Sequence, residues 1–246
     1  MRIPDGIRCL LIIPCYNEEG SITRLLNEIH ELNAGFDTLV VDDASTDQTY
    51  HQAITYSPVV RHLSNLGIGG AVQTGIKFAY RNGYDYCAQM DGDGQHPPSE
   101  YLKLITVAIN EHLDIIIGSR YAGLTSFQST FMRRLGSSLI SKALSIVHNK
   151  VRVTDPTSGM RLINRRAMAF FSCHYPADYP EPISLAWAFK LNMKVAEIPV
   201  YMRHRTAGVS SLRGVRKSFN YMLRVIGYLM ISIFQKNNFS LPNSNS

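Results

Sequence analysis

The stretch AQMDGDGQHPPSE, residues 88–100, leaves an apolar run and at once sets Asp91 and Asp93 on either side of one glycine. On a strand, residues two apart face the same side. Carboxylates that close repel unless a cation lies between them. Mg2+ or Mn2+ would answer the repulsion, because these ions take one or two carboxylates and fill their other positions with water and substrate phosphate. Asp91, Asp93 and the side-chain oxygen of Gln95 offer such a partial shell, which implies a diphosphate substrate. A tight turn is the plainer alternative, since Asp and Gly favour turns and Pro97 and Pro98 keep a helix out of it. That reading leaves the paired acids unexplained.

Four more polar clusters punctuate the first half of the chain: YNEE (16–19), DDASTD (42–47), NLGIGG (65–70) and GSRY (118–121). Each is weak alone. DDASTD suits a capped helix start. GIGG lacks the third glycine of a dinucleotide fingerprint and follows the third strand, not the first, so a Rossmann cofactor is rejected.

The elements that must carry these clusters are short apolar runs alternating with helical periodicity, the pattern of βαβ units in an α/β fold with a mainly parallel sheet flanked by helices. Strands are expected in 8–14, 37–41, 58–64, 84–90 and 113–119. Between them, SITRLLNEIHEL places Ile22, Leu25, Leu26, Ile29 and Leu32 on one helical face. Helices are also expected over 65–80 and 99–112. Ligands of open α/β sheets bind beyond the carboxyl ends of the strands, and all five clusters fall there.

At 246 residues and 45% hydrophobic composition, the chain can bury a full core as one domain with an appendage. Its charge is divided: residues 1–119 hold 7 Lys and Arg against 15 Asp and Glu, whereas residues 120–246 hold 18 against 4. This points to a cation site in the first half and phosphate or anionic-membrane contacts in the second. Cys9, Cys15, Cys87 and Cys173 form no CxxC pair and read as buried thiols of a reducing compartment. The apolar stretch Cys9–Cys15 is too short for a signal peptide or membrane span, which predicts a cytoplasmic start. The eight histidines show no metal-binding spacing.

In order, PCYNEE, VDDASTD, NLGIGGAVQTG, MDGDGQHPP, GSRY and DPTSGMR resemble the family 2 glycosyltransferases of GT-A fold, most closely the dolichol-phosphate mannose synthase and polyprenyl-phosphate glycosyltransferase branch. The resemblance spans about residues 8–206. It implies a nucleotide pocket lined by Pro14, Tyr16, Asn17 and Glu18, with Asp42 or Asp43 on the base and the turn from Asn65 through Gly67 and Gly69 close by. Asp91, Asp93 and Gln95 match the metal-binding segment, although Gly92 stands where many members have a bulkier residue. Arg120 and Arg133 or Arg134 are expected on phosphates, Asp155 and Arg161 near the transfer site, and Arg203 closing over the diphosphate. The implied partners are a UDP, GDP or dTDP sugar and a polyprenyl phosphate or lipid-linked glycan. A small membrane protein or a second copy is a further open partner; nucleic acid is not expected.

Such a reaction needs charges placed to absorb what the leaving diphosphate gains, an effect of several kcal/mol. Inversion at the anomeric carbon is implied by the resemblance alone. A lipid monophosphate, with a second pKa near 6 by analogy with phosphoserine, is already an anionic nucleophile. A sugar hydroxyl would instead need a base from Asp155, Asp178 or Glu181, and DYPEP (178–182) resembles polysaccharide-chain transferases, leaving extension of a cell-surface polysaccharide as the alternative. A DxDx(T/V) phosphatase is disfavoured because Gln95 takes the Thr/Val position. A non-catalytic binder would not account for five clusters on one sheet edge.

The segment 211–234 joins Arg213, Arg216, Lys217 and Arg224 to an apolar run, Val225–Phe234, of only ten residues, against the ~20 needed to span a bilayer. It suits a core helix or a basic interfacial anchor on the inner face of the cell membrane. The expected organisation is a GT-A domain at 1–210, an amphipathic membrane-interfacial helix at 211–236 and a disordered tail at 237–246.

Overall fold

The computed structural model describes residues 2–122, 131–147, 153–203 and 223–231. Its seven strands are β1 (Cys9–Cys15), β2 (Asp37–Asp42), β3 (Val59–Arg61), β4 (Tyr86–Gln89), β5 (Ile115–Ser119), β6 (Arg161–Asn164) and β7 (Val195–Pro199). They form one sheet in the order β3-β2-β1-β4-β6-β5-β7. Every residue of β1 is buried. Leu10 and Ile12 enter the core on one face, Cys9, Leu11, Ile13 and Cys15 the core on the other, as the two-residue period of a doubly covered strand requires. Each such Leu or Ile contributes roughly 1.5–3 kcal/mol by leaving water.

On one face lie α1 (Ile22–Leu32), α2 (Thr49–Ala53) and α4 (Pro98–Asn110). The other is covered by α3 (Gly67–Arg81), α5 (Phe131–Val147), α6 (Arg165–Phe171) and α7 (Pro180–Lys190). The apolar stripe expected of α1 is seen, with Ile22, Leu25, Leu26 and Ile29 buried and Leu32 packed at its margin.

One strand departs from the parallel pattern. β6 runs antiparallel between β4 and β5, so its first residue, Arg161, pairs with Gln89 and Ile117 at the edge where the parallel strands end. Four residues with polar ends give too little alternation to be read from sequence. Among the cysteines, Cys9, Cys15 and Cys87 are buried and free as expected, but Cys173 is exposed: it sits just past α6, beyond the apolar face of that helix.

Residues 223–231 of the C-terminal segment are helical. Val225 and Leu229, one turn apart, are wholly buried in the core, while Leu223, Tyr228 and Ile231 remain 52%, 48% and 64% exposed. Tyr228 also lies against Tyr179, with ring centroids 5.7 Å apart. This stretch is therefore a core helix on one side and an apolar surface on the other. Arg213, Arg216, Lys217 and His204 lie outside the described residues. Among the described residues no helix is long and apolar enough to cross a membrane.

Candidate active site

The carboxyl ends of β1, β2, β3, β4 and β5 share one edge, and the loops after β1, β2 and β3 are joined by hydrogen bonds between backbone N–H groups and side chains. Asn17 adopts φ 57°, a left-handed conformation that Asn tolerates. Its N–H donates to Ser45 Oγ at 3.0 Å, and its Oδ1 accepts from the Thr46 N–H at 2.9 Å. The Glu18 N–H donates to Thr49 Oγ1 at 2.7 Å. Tyr16 leaves its ring 48% exposed beside this seam, whereas Pro14 is buried within β1.

The two aspartates after β2 differ in their roles. Asp42 is fully buried; its Oδ1 accepts from the Ser45 N–H at 3.2 Å. Arg61 Nε lies 3.1 Å from Oδ2 as an ion pair without hydrogen-bond alignment. Asp43 secures the next loop: it accepts from the N–H groups of Leu66 and Gly67, each at 2.8 Å, and lies 2.7 Å from His62 Nδ1. Asn65 Oδ1 also accepts from the Gly67 N–H, at 3.0 Å. Gly69 answers a close approach: a Cβ there would lie 2.5 Å from the Ala177 carbonyl oxygen and nearer still to that of Pro176.

β4 ends at Gln89, so Asp91 and Asp93 lie in the turn beyond it and not on a strand, contrary to the same-face arrangement considered from their spacing. Pro98 opens α4 directly after the turn, a favoured place for proline. The Asp93 residue is only 4% exposed and its Oδ1 accepts from the Gln95 N–H at 3.0 Å. Asp91 is the open member, with its side chain 37% exposed. Its Oδ1 accepts from Gln89 Nε2 at 3.2 Å, and His96 Nε2 lies 3.9 Å from Oδ2. At Gly92 a Cβ would lie 2.7 Å from Cys15 Sγ; the thiol fills the space that a bulkier middle residue would need.

Among the described residues no three His, Cys, Asp or Glu side chains converge. The oxygen donors that could hold an ion here are the two carboxylates and the half-buried Gln95. This fits Mg2+ or Mn2+, which bind through one or two carboxylates plus substrate phosphates.

Beyond β5, Arg120 and Asp155 form a two-pronged pair: Nε to Oδ2 and Nη2 to Oδ1, both 2.7 Å, with the Arg120 N–H donating to Oδ2 at 3.1 Å. Burial alone would lower the Arg120 pKa, but the Asp155 hydrogen bonds and charge raise it above its ordinary value. Glu197 in turn accepts from the N–H groups of Thr154 and Asp155 at 2.7 and 2.6 Å. Arg161 is buried and donates to the carbonyls of Ser158, Pro156 and Glu181 and to Ser184 Oγ at 2.7–3.0 Å. It ties the DPTSGMR loop to the start of α7, and burial lowers its pKa. Glu181 is half-buried. Burial pushes its pKa up, the Arg161 charge and a hydrogen bond from Gln89 pull it back, and the Asp91 charge adds to the rise.

Three further arginines were expected on phosphates. Arg134 is exposed on α5, and the side chain of Arg133 lies outside the described residues. Arg203 reaches α1, where its two terminal nitrogens each donate to a Glu28 oxygen at 2.6 Å. Asp178 is exposed. Sequence reading passed over Gln89, Glu197, His62 and Glu28. The register of Gln89, two before Asp91 on an expected strand, was the one available signal; the other three act across separations of 19 to 175 residues.

A mainly parallel sheet with a two-carboxylate turn beyond its fourth strand is the arrangement expected of a GT-A fold. Residues 10–170 match the model of Glycosyl transferase family 2, and the chain belongs to that family. It is 30% identical over 211 residues to the UDP-N-acetylglucosamine–dolichyl-phosphate N-acetylglucosaminyltransferase of Methanococcus voltae, covering 77% of this chain and 83% of that one. It is 31% identical over 217 residues to the polyprenol monophosphomannose synthase of Mycolicibacterium smegmatis, covering 84% and 82%. Among solved structures, glucosyl-3-phosphoglycerate synthase from Mycobacterium tuberculosis, in complex with Mn2+, UDP and phosphoglyceric acid, superposes with a TM-score of 0.72 at 19% identity, covering 95% of this chain and 81% of that one. That likeness shares the fold.

Proposed function

We propose that this glycosyltransferase moves a hexose from a nucleotide diphosphate sugar to a polyprenyl phosphate, undecaprenyl or dolichyl, with inversion at the anomeric carbon. The observation that carries this reading is the open Asp91 carboxylate beside the buried Asp93, on the edge where five loops meet. The named relatives, which act on dolichyl and polyprenol phosphates, support the acceptor.

Asp91, Asp93 and Gln95 would hold Mg2+ or Mn2+, whose charge neutralises the departing diphosphate. The nucleoside lies against Tyr16 and the loops at 17–18 and 42–46, which the buried Asp42 and Asp43 brace. Arg120, held rigid by Asp155, contributes a fixed positive charge near the diphosphate. Arg203 serves the same anion by exchanging Glu28 for it. Both Asp155 oxygens already accept hydrogen bonds from Arg120, so Asp155 acts by positioning. An acceptor phosphate, anionic at neutral pH, needs no base. The apolar exposed side of residues 223–231, with exposed Arg224, suits an interfacial seat on the inner face of the membrane.

One observation favours transfer to a glycan hydroxyl as a second reading: Glu181, half-buried with a raised pKa beside Asp91, has the character of a general base. Radiolabelled UDP, GDP and dTDP sugars incubated with membrane extract separate the two. Label in an organic-extractable, mild-acid-labile lipid supports the polyprenyl phosphate. Label solely in acid-stable longer glycan assigns the hydroxyl reading.

A further inference from the structure

The structure assigns to Gln89 the role of positioning residue for the metal-binding carboxylate Asp91. This rests on the function proposed above and deepens it. Gln89 closes β4 with its side chain only 5% exposed. Its Nε2 donates to Asp91 Oδ1 at 3.2 Å. An ionised carboxylate is acceptor-only, so an amide NH2 is a fitting donor to orient it.

The arrangement is held from two sides. The Tyr101 hydroxyl donates to the Gln89 carbonyl at 2.5 Å and fixes the backbone. The backbone of Gly159 closes over the side chains, so a Cβ there would lie 3.1 Å from both Gln89 Nε2 and Asp91 Oδ2. On the inner side, Gln89 Oε1 is buried without a hydrogen-bond partner among the described residues, beside a cavity of about 20 Å³ lined mainly by apolar side chains. The flipped amide would aim this oxygen at the Asp91 carboxylate, acceptor against acceptor.

The consequence is specific to metal. Without the amide, Asp91 loses its orienting donor. Groups that orient a metal ligand change metal affinity by about 10–100-fold when removed. The test is Mn2+ affinity of the full chain in saturating UDP, GDP or dTDP, read by electron paramagnetic resonance, for wild type, Gln89→Met and Gln89→Leu. Thermal unfolding without metal monitors the fold. The expected result is a Mn2+ dissociation constant about 10–100-fold weaker in both variants, with turnover of Gln89→Met recovered at high Mn2+. Variants that bind Mn2+ within twofold of wild type, with or without lost turnover, overturn the assignment and leave the proposed function standing. Wild type that fails to bind Mn2+ with any of these nucleotides overturns both. If Gln89→Met does not fold, Gln89→Leu, which also lacks the NH2, decides.

Discussion

Replacing Asp155 with alanine should destabilise the protein far more than loss of a surface ion pair would. Asp155 is fully buried and Arg120 keeps only 20% of its side chain exposed. The variant strands a guanidinium that has two 2.7 Å bonds in the native site. Breaking a buried pair from one side costs 3–5 kcal/mol, and the residual exposure of Arg120 places this case at about 3 kcal/mol. For a chain of this size that is a fall of about 6–12 °C in Tm. Urea unfolding of Asp155→Ala, Arg120→Met and the double variant gives the coupling directly. The double variant should be more stable than Asp155→Ala, because no charge is left stranded. A cost below about 1 kcal/mol, the range of exposed pairs, or strict additivity of the two changes, would refute the reasoning.

Glu181→Gln should alter the pH dependence of stability. A carboxyl whose folded pKa is raised binds its proton more tightly in the folded state, so its stabilising contribution is present in acid and lost as pH rises through the folded pKa. From the ordinary carboxylate range upward, wild type should therefore lose stability relative to Glu181→Gln, measured by urea unfolding across pH; parallel curves would contradict this. Gly69→Ala should cost about 1–3 kcal/mol in the same assay by forcing the Pro176–Ala177 backbone away, and a neutral effect would show that this contact yields freely. Glu28→Ala should change stability by less than about 1 kcal/mol while lowering the donor KM up to about fivefold, since Arg203 is released for the diphosphate. An unchanged or higher KM would confine Arg203 to its α1 contact.

The parts of the fold that were legible in the sequence are those governed by local periodicity. β1 announces itself as a continuous apolar run, and α1 by the spacing of Ile22, Leu25, Leu26 and Ile29. The family resemblance then matched the GT-A sheet and the family to which the chain belongs. What stayed hidden depends on contacts distant in sequence. β6 is too short to show a period, yet by reversing direction it delivers Arg161 to the site edge. Arg120 and Asp155 were both noted, but not that each is the other's partner, 35 residues apart. Likewise Asp43, noted for the nucleotide base, holds the 65–67 turn. A residue type indicates which interactions are available; packing decides which one is made.

The central claim is that the Asp91–Asp93 turn supports sugar transfer to a polyprenyl phosphate. Its most direct measurement uses the purified full chain, a synthetic polyprenyl phosphate and the radiolabelled donors, with Mn2+ or Mg2+ restored after EDTA, comparing wild type with Asp93→Ala. The account predicts labelled lipid phosphate sugar from one donor, abolished by EDTA, restored by metal and at least 100-fold lower in the variant, about 2.7 kcal/mol of transition-state stabilisation. Undiminished transfer in EDTA or by a folded Asp93→Ala protein would contradict it.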